Sequence, residues 1–148
     1  VVLTQIVGEF SEKAEANQLE MVVECPQPPV EIYVDGRHLW RIIDNLMGNI
    51  CKYAQPGTRV YVTLEKFHGM VIMTFRNISK DRLKMTSEEL FGRFVRGDSS
   101  RNTEGHGLGL SIAKSLTELM HGNLAVQMDG DLFKVILSFE EYQEDKKQ

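Results

Sequence analysis

Apolar residues along this chain fall into two rhythms, and the changes between them outline a fold. Leu3, Ile6, Val7, Phe10 and Ala14 recur at helical spacing among polar neighbours, which predicts a helix over residues 3–17. Residues 19–24 and 30–34 are short β-prone runs, and Pro26-Gln-Pro-Pro29 between them forces a turn or an edge connection. Asp35 stands where an N-cap belongs. After it, Leu39, Ile42, Ile43, Leu46, Met47 and Ile50 make one helical stripe that ends before Pro56-Gly57. Over 59–66 and 70–77 the period drops to two, with Val60, Val62 and Leu64 answering Val71, Met73 and Phe75 across a His68-Gly69 hairpin turn. Thr86 or Ser87 can cap a short helix carrying Leu90, Phe91 and Phe94, while 97–107 has no period and reads as a mobile loop. A helix over about 108–121 follows, its apolar face made of Leu110, Ile112, Ala113, Leu116, Leu119 and Met120, with Gly122 as its C-terminal cap. Residues 123–128 and 132–139 form a second hairpin across Asp129-Gly130, and the charged tail 140–148 frays.

Paired strands broken by single helices predict an α+β sandwich. One mixed, mostly antiparallel sheet is covered on one face by about three helices, and the order does not suit a doubly wound sheet. The length of 148 residues fits one domain that buries roughly 70% of its unfolded surface. A net charge of −4 argues against nucleic acid as a partner, since such binders carry a basic face. No apolar run approaches the roughly 20 residues of a membrane span, and no signal-peptide pattern is present, so no direct membrane insertion is expected. Cys25 and Cys51 lack metal-ligand spacing and suit a reduced, cytoplasmic setting. The chain starts Val-Val-Leu, which reads as a piece of something longer. A membrane-anchored parent is compatible with that.

Candidate chemistry lies in two places. Gly105-His-Gly107-Leu108-Gly109-Leu110 feeds a helix, and a flexible loop at a helix N-terminus offers free N–H groups and a positive dipole end to phosphate. On the earlier helix, Asn45 and Asn49 share a face away from the apolar stripe, with Lys52 and Tyr53 in the next turn. An amide oxygen can ligate Mg²⁺, and an ammonium suits phosphate. Taken alone, that face reads equally as a solvated polar surface. Cys51 has two readings as well: a half-buried inert thiol, or one whose pKa the neighbouring Lys52 lowers. Trp40 lies close to the stripe and is expected to pack.

Asn45-Leu-Met-Gly-Asn49-Ile-Cys-Lys52-Tyr53 resembles the N box of bacterial sensor histidine kinases. Leu90-Phe91-Gly-Arg-Phe94-Val-Arg96-Gly resembles their phenylalanine box, and 105–110 their second glycine box, in the same order and at similar separations. The resemblance runs from about residue 19 to 139 and implies the gyrase–Hsp90–histidine kinase–MutL superfamily with its Bergerat-type ATP-binding sandwich. It implies ATP and Mg²⁺ as cofactors, with Asn49 as the metal ligand and Asn45, Asn49 and Lys52 as the catalytic set. It further implies Tyr53 as a ring near the nucleotide, and Gly105, Gly107, Leu108, Gly109 and Leu110 as the lid backbone over the triphosphate. Phe91 and Phe94 match lid-anchoring aromatics. Arg96 and Arg101 are candidates for phosphate contact, with solvated loop arginines as the other reading. Residues 1–18 resemble the end of a linker helix from a missing dimerisation region, 19–140 the catalytic domain and 141–148 a tail.

Two departures matter. Where the family has Asp-x-Gly-x-Gly, this chain has Asn77-Ile-Ser79, so a neutral amide would read adenine. Superfamily members that hydrolyse ATP or phosphorylate serine carry Glu where Asn45 stands, and Asn45 cannot take a proton. The implied function is transfer of the ATP γ-phosphoryl to a histidine on the dimerisation region, with a response regulator downstream. Of His38, His68, His106 and His121, none sits in a phosphoacceptor context. A non-catalytic nucleotide-sensing module stands as an alternative, and a superfamily ATPase or serine kinase as another.

Overall fold

The period-two runs pair as hairpins. The computed structural model describes residues 3–25, 35–80 and 108–140. Within them, β1 (Glu20–Glu24), β2 (Arg59–Phe67), β3 (Met70–Ile78), β4 (Asn123–Asp129) and β5 (Leu132–Glu140) form one sheet in the order β1-β2-β3-β5-β4. β1 lies parallel to β2 and every other pair is antiparallel, which is the expected mixed sheet. His68 and Gly69 both have positive φ, 52° and 78°, as a type I′ hairpin requires. The second hairpin turns one residue later than expected. Asp129 pairs with Leu132, so Gly130 (φ 62°) and Asp131 form the loop, and glycine takes the left-handed place without a Cβ clash.

Alternation sends Val60, Val62, Leu64, Val71, Met73, Phe75, Val135, Leu137 and Phe139 to one face of the sheet, where they are buried. α3 (Gly36–Tyr53) lays its whole predicted stripe into the same core, Leu39 through Ile50. Asp35 caps α3: its Oδ1 accepts from Arg37 N at 2.8 Å, and that bond holds the carboxyl below its usual range. The cap is therefore formed above the ordinary carboxylate range and is lost as pH falls through the lowered value.

The expected single helix over 3–17 is two pieces, α1 (Leu3–Gly8) and α2 (Ser11–Ala16), broken at Glu9-Phe10. Phe10 sits at φ −98°, ψ 2°, and Val7, Phe10 and Ala14 are all buried in the core. The Phe10 ring lies 5.4 Å from that of Trp40, whose Nε1 donates to Glu9 Oε1 at 3.1 Å. Trp40 is thus packed on one side only and remains 42% exposed. An ion pair from Lys13 to Asp44 at 3.3 Å fastens α2 to α3 further along.

α4 (Leu108–Leu119) buries Leu110, Ala113 and Thr117, while Leu119 is 66% exposed, contrary to its expected place on the apolar face. Leu119 comes nine residues after Leu110, roughly half a turn round the helix at 3.6 residues per turn. The helix ends in a Schellman motif: Gly122 N donates to Thr117 O at 2.9 Å and His121 N to Glu118 O at 3.0 Å. The left-handed residue is His121 (φ 65°), not Gly122 as the sequence suggested. Gly122 serves packing instead, since a Cβ there would lie 2.5 Å from Phe139 Cε1 and 2.8 Å from Ser138 O. The expected strand at 30–34, the short helix with Leu90, Phe91 and Phe94, the loop 97–107 and most of the tail lie outside the described residues.

These two neighbours should respond in opposite directions to small substitutions. His121→Gly removes a Cβ from a left-handed position and should raise stability by about 1 kcal/mol. Gly122→Ala overpacks against the Phe139 ring and the Ser138 carbonyl and should cost about 1–3 kcal/mol. Urea denaturation midpoints read both.

Candidate nucleotide site

α3 presents two faces, and the second carries the candidate site residues. With the stripe turned to the core, Asn45, Asn49 and Lys52 fall on another side of the helix. Asn49 is only 7% exposed, yet its Oδ1 has no hydrogen-bond partner, and neither has the buried Nδ2 of Asn45. Lys52 is exposed, with Nζ 5.7 Å from the centroid of the Tyr53 ring. Tyr53 is half-buried, and burial pushes its hydroxyl above the usual range.

Asn77 arrives from β3. It occupies the inner-facing parity after Val71, Met73 and Phe75, so the alternation that builds the core also buries this amide, to 4% exposure. Its Oδ1 is likewise without a partner. Backbone bonds fasten this end of β3 to the end of α3: Gln55 N donates to Ile78 O at 2.7 Å and Lys80 N to Tyr53 O at 2.9 Å. Ala54 and Ser79 form an isolated bridge between them, and Ser79 N donates to Asp131 O at 2.8 Å. Residues distant in sequence are thereby set beside one another.

Leu108 and Gly109 open α4, which packs against α3. The Leu110 side chain belongs to the core, leaving its backbone for any ligand. Gly105, Gly107, Arg96 and Arg101 lie outside the described residues. Ser111, in the first turn of α4, was not singled out from the sequence, and its buried Oγ has no partner. A hydroxyl directly after a glycine run at a helix start was the available signal.

Native structures leave few buried polar atoms unpaired, because each costs about 1–3 kcal/mol. Among the described residues the unpaired buried side-chain atoms are Asn45 Nδ2, Asn49 Oδ1, Arg76 Nε, Asn77 Oδ1 and Ser111 Oγ. Arg76 has the outward parity on β3, its guanidinium 5.2 Å above the Tyr61 ring. The other four stand on α3, on the strand end tied to α3, and on the first turn of α4. Such a set fits a polar ligand that supplies both a cation for amide oxygens and acceptors for N–H and O–H groups. A magnesium-bound nucleotide has that character.

Comparison with known proteins gives the family. Residues 34–143 match the family model described as histidine kinase-, DNA gyrase B-, and HSP90-like ATPase, and the chain belongs to that family. It is 31% identical over 140 residues to the sensor histidine kinase RppB of Synechocystis, covering 91% of this chain and 31% of that protein. It is 38% identical over 107 residues to the probable sensor protein PcoS of Escherichia coli, covering 70% of this chain and 23% of the relative. The chain thus spans about a third or less of these relatives, and corresponds to their ATP-binding catalytic domain. In fold it is similar to the mycobacterial sensor histidine kinase MprB, with a TM-score of 0.76 at 22% identity, over 95% of each chain. Among the described residues no helix is long and apolar enough to cross a membrane.

Cys51 lies on α3 beside Lys52, but burial dominates and pushes its thiol up, only partly offset by the Lys13 ammonium. Its Sγ lies 3.7 Å from the Lys13 carbonyl oxygen, whereas Cys25 is exposed. A thiol reagent at neutral pH should therefore modify Cys25 first. Cys51 modification should lag and rise only at alkaline pH, as mass spectrometry of the two peptides over time would show.

Proposed function

We propose that this chain is the catalytic domain of a two-component sensor histidine kinase, holding Mg-ATP for transfer of its γ-phosphoryl to a histidine on a dimerisation region. The observation that carries this is the set of unfilled buried amide atoms on Asn45, Asn49 and Asn77. The bound nucleotide supplies the phosphoryl group, and its metal the charge neutralisation. Asn49 Oδ1 is the hard oxygen donor to that metal. Lys52 offers an ammonium to the phosphates, and Asn45 Nδ2 a neutral donor near them. Asn77 Oδ1 accepts from the adenine amino group, and Tyr53 lies beside the nucleotide. Gly105, Gly107, Leu108, Gly109 and Leu110 contribute backbone N–H groups, and Arg96 and Arg101 further charge.

Asn45 has no proton affinity to lend, so a hydroxyl or water attacking the phosphoryl would go unassisted. An imidazole is largely neutral at physiological pH and attacks with its own lone pair, so transfer to histidine is favoured over hydrolysis. Positioning and electrostatics then account for catalysis. Residues 1–18 are the end of the linker from the dimerisation region. Its Glu9–Trp40 and Lys13–Asp44 contacts with α3 support a link from the parent kinase to the nucleotide helix. The domain works on the cytoplasmic side of a membrane-anchored parent, and a response regulator receives the phosphoryl group.

Calorimetry should find Mg-dependent ATP binding abolished in Asn49→Ala, and unchanged affinity would sink the metal assignment. Asn77→Ala should weaken ATP more than GTP, whereas equal loss of both would remove Asn77 from adenine recognition. Mixed with Mg-ATP and a separately made dimerisation fragment of its parent kinase, the domain should yield phosphohistidine. Binding without transfer would mark a nucleotide sensor instead, and phosphate release by this chain alone an ATPase.

A further inference from the structure

We propose that the Ser111 hydroxyl is a phosphate contact of the nucleotide site, donating to a phosphate oxygen at the first turn of α4. The assignment rests on the nucleotide reading above and adds a residue to it.

Thr117 shows what a buried hydroxyl does on this helix when its role is structural. It is fully buried, and its Oγ1 donates to the Ala113 carbonyl one turn back at 2.7 Å. Serine and threonine in helices commonly satisfy themselves in this way. Ser111 does not: its Oγ is buried and makes no hydrogen bond at all. A hydroxyl in that state is a cost to the ligand-free fold unless something outside the chain completes it.

The chemistry of that partner follows from the unfilled atoms on the packed helices α3 and α4. Asn49 Oδ1 can only accept, so it calls for a cation or a donor. Asn45 Nδ2 can only donate, and Ser111 has an O–H to give. Ser111 also stands in the first turn of a 12-residue helix, where free N–H groups and the dipole favour negative charge. One acceptor and two donors on two packed helices, with a positive helix end, match a metal-bound phosphate. Asn49 takes the metal side, and Ser111 with Asn45 the phosphate oxygens.

Ser111→Ala separates this role from a structural one, because stability and affinity should move in opposite directions. The nucleotide-free variant should melt no lower than wild type, since an unpaired buried hydroxyl has been removed. Its Mg-ATP affinity by calorimetry should fall about tenfold or more, the usual loss for a hydrogen bond to a charged group. Adenosine, titrated by NMR, should bind both proteins equally. Unchanged Mg-ATP affinity overturns the assignment, and so does an equal loss for adenosine and Mg-ATP. Wild-type protein that takes up no Mg-ATP overturns the nucleotide reading itself, and this contact with it.

Discussion

Two backbone hydrogen bonds, Gln55 N to Ile78 O and Lys80 N to Tyr53 O, fasten the end of α3 to the end of β3, and the candidate site depends on that junction. Asn49 and Asn77 are separated by a whole hairpin in sequence. Register across the β2–β3 hairpin fixes which residues of β3 face the helices, with Phe75 opposite Val62 and Met73 opposite Leu64. A slip of one residue would turn Asn77 to the outer face and put Arg76 in the core. The His68-Gly69 turn at the far end therefore helps to set the identity of the buried amide at this end.

The contacts of α1 and α2 give α3 a second anchor. Phe10 and Trp40 pack as tilted rings near the start of α3, Lys13 reaches Asp44 at mid-helix, and Lys13 O lies within reach of Cys51 near its end. These contacts follow one side of α3 from its first turn to its last. The exposed ion pair adds little by itself, on the order of 0–1 kcal/mol. The buried Val7 and Phe10 contribute more, since fully burying a side chain of that kind is worth about 1.5–3 kcal/mol. With the core beneath it and these two pieces beside it, α3 is a rigid mount for Asn45 and Asn49.

Much of this was legible in the chain because the core elements have clear periods. The stripe from Leu39 to Ile50 and the first hairpin lie where the rhythm placed them, and the second hairpin differs only by one residue at its turn. The N box on α3 supplied a residue-level expectation for the amides. Other features depart from the pattern at helix ends and breaks, where periodicity carries little information. The break at Glu9-Phe10 leaves Val7, Phe10 and Ala14 in the core, and nothing in the periodicity of the chain announces it. His121 holds the left-handed position because the Schellman bonds place C′ there, while Gly122 is needed for its closeness to the Phe139 ring. Leu119 counted as apolar in the pattern, yet Thr117 takes the buried place by returning its hydroxyl to Ala113. Ser111 was missed because a serine in a helix is unremarkable until its neighbours show that its hydroxyl is unpaired.

Neutral side chains are a consequential choice for this site. A carboxylate at the position of Asn49 or Asn77 would cost more to bury than an amide unless a counterion or hydrogen bonds met its charge. Amides are cheaper to bury and carry no charge, so on the nucleotide reading metal affinity comes largely from the phosphates that accompany it. On the same reading, neutrality leaves Asn77 without the strength of a charged acceptor toward an adenine amino group. Burial compensates in part, because a hydrogen bond is electrostatically stronger away from water, and Asn77 is almost wholly enclosed. The cost falls on the protein without ligand, in which Asn45 Nδ2, Asn49 Oδ1, Asn77 Oδ1 and Ser111 Oγ have no partner within the protein. A ligand that satisfies all four regains that free energy on binding, and the apolar core beneath α3 supplies the stability that lets the empty site persist.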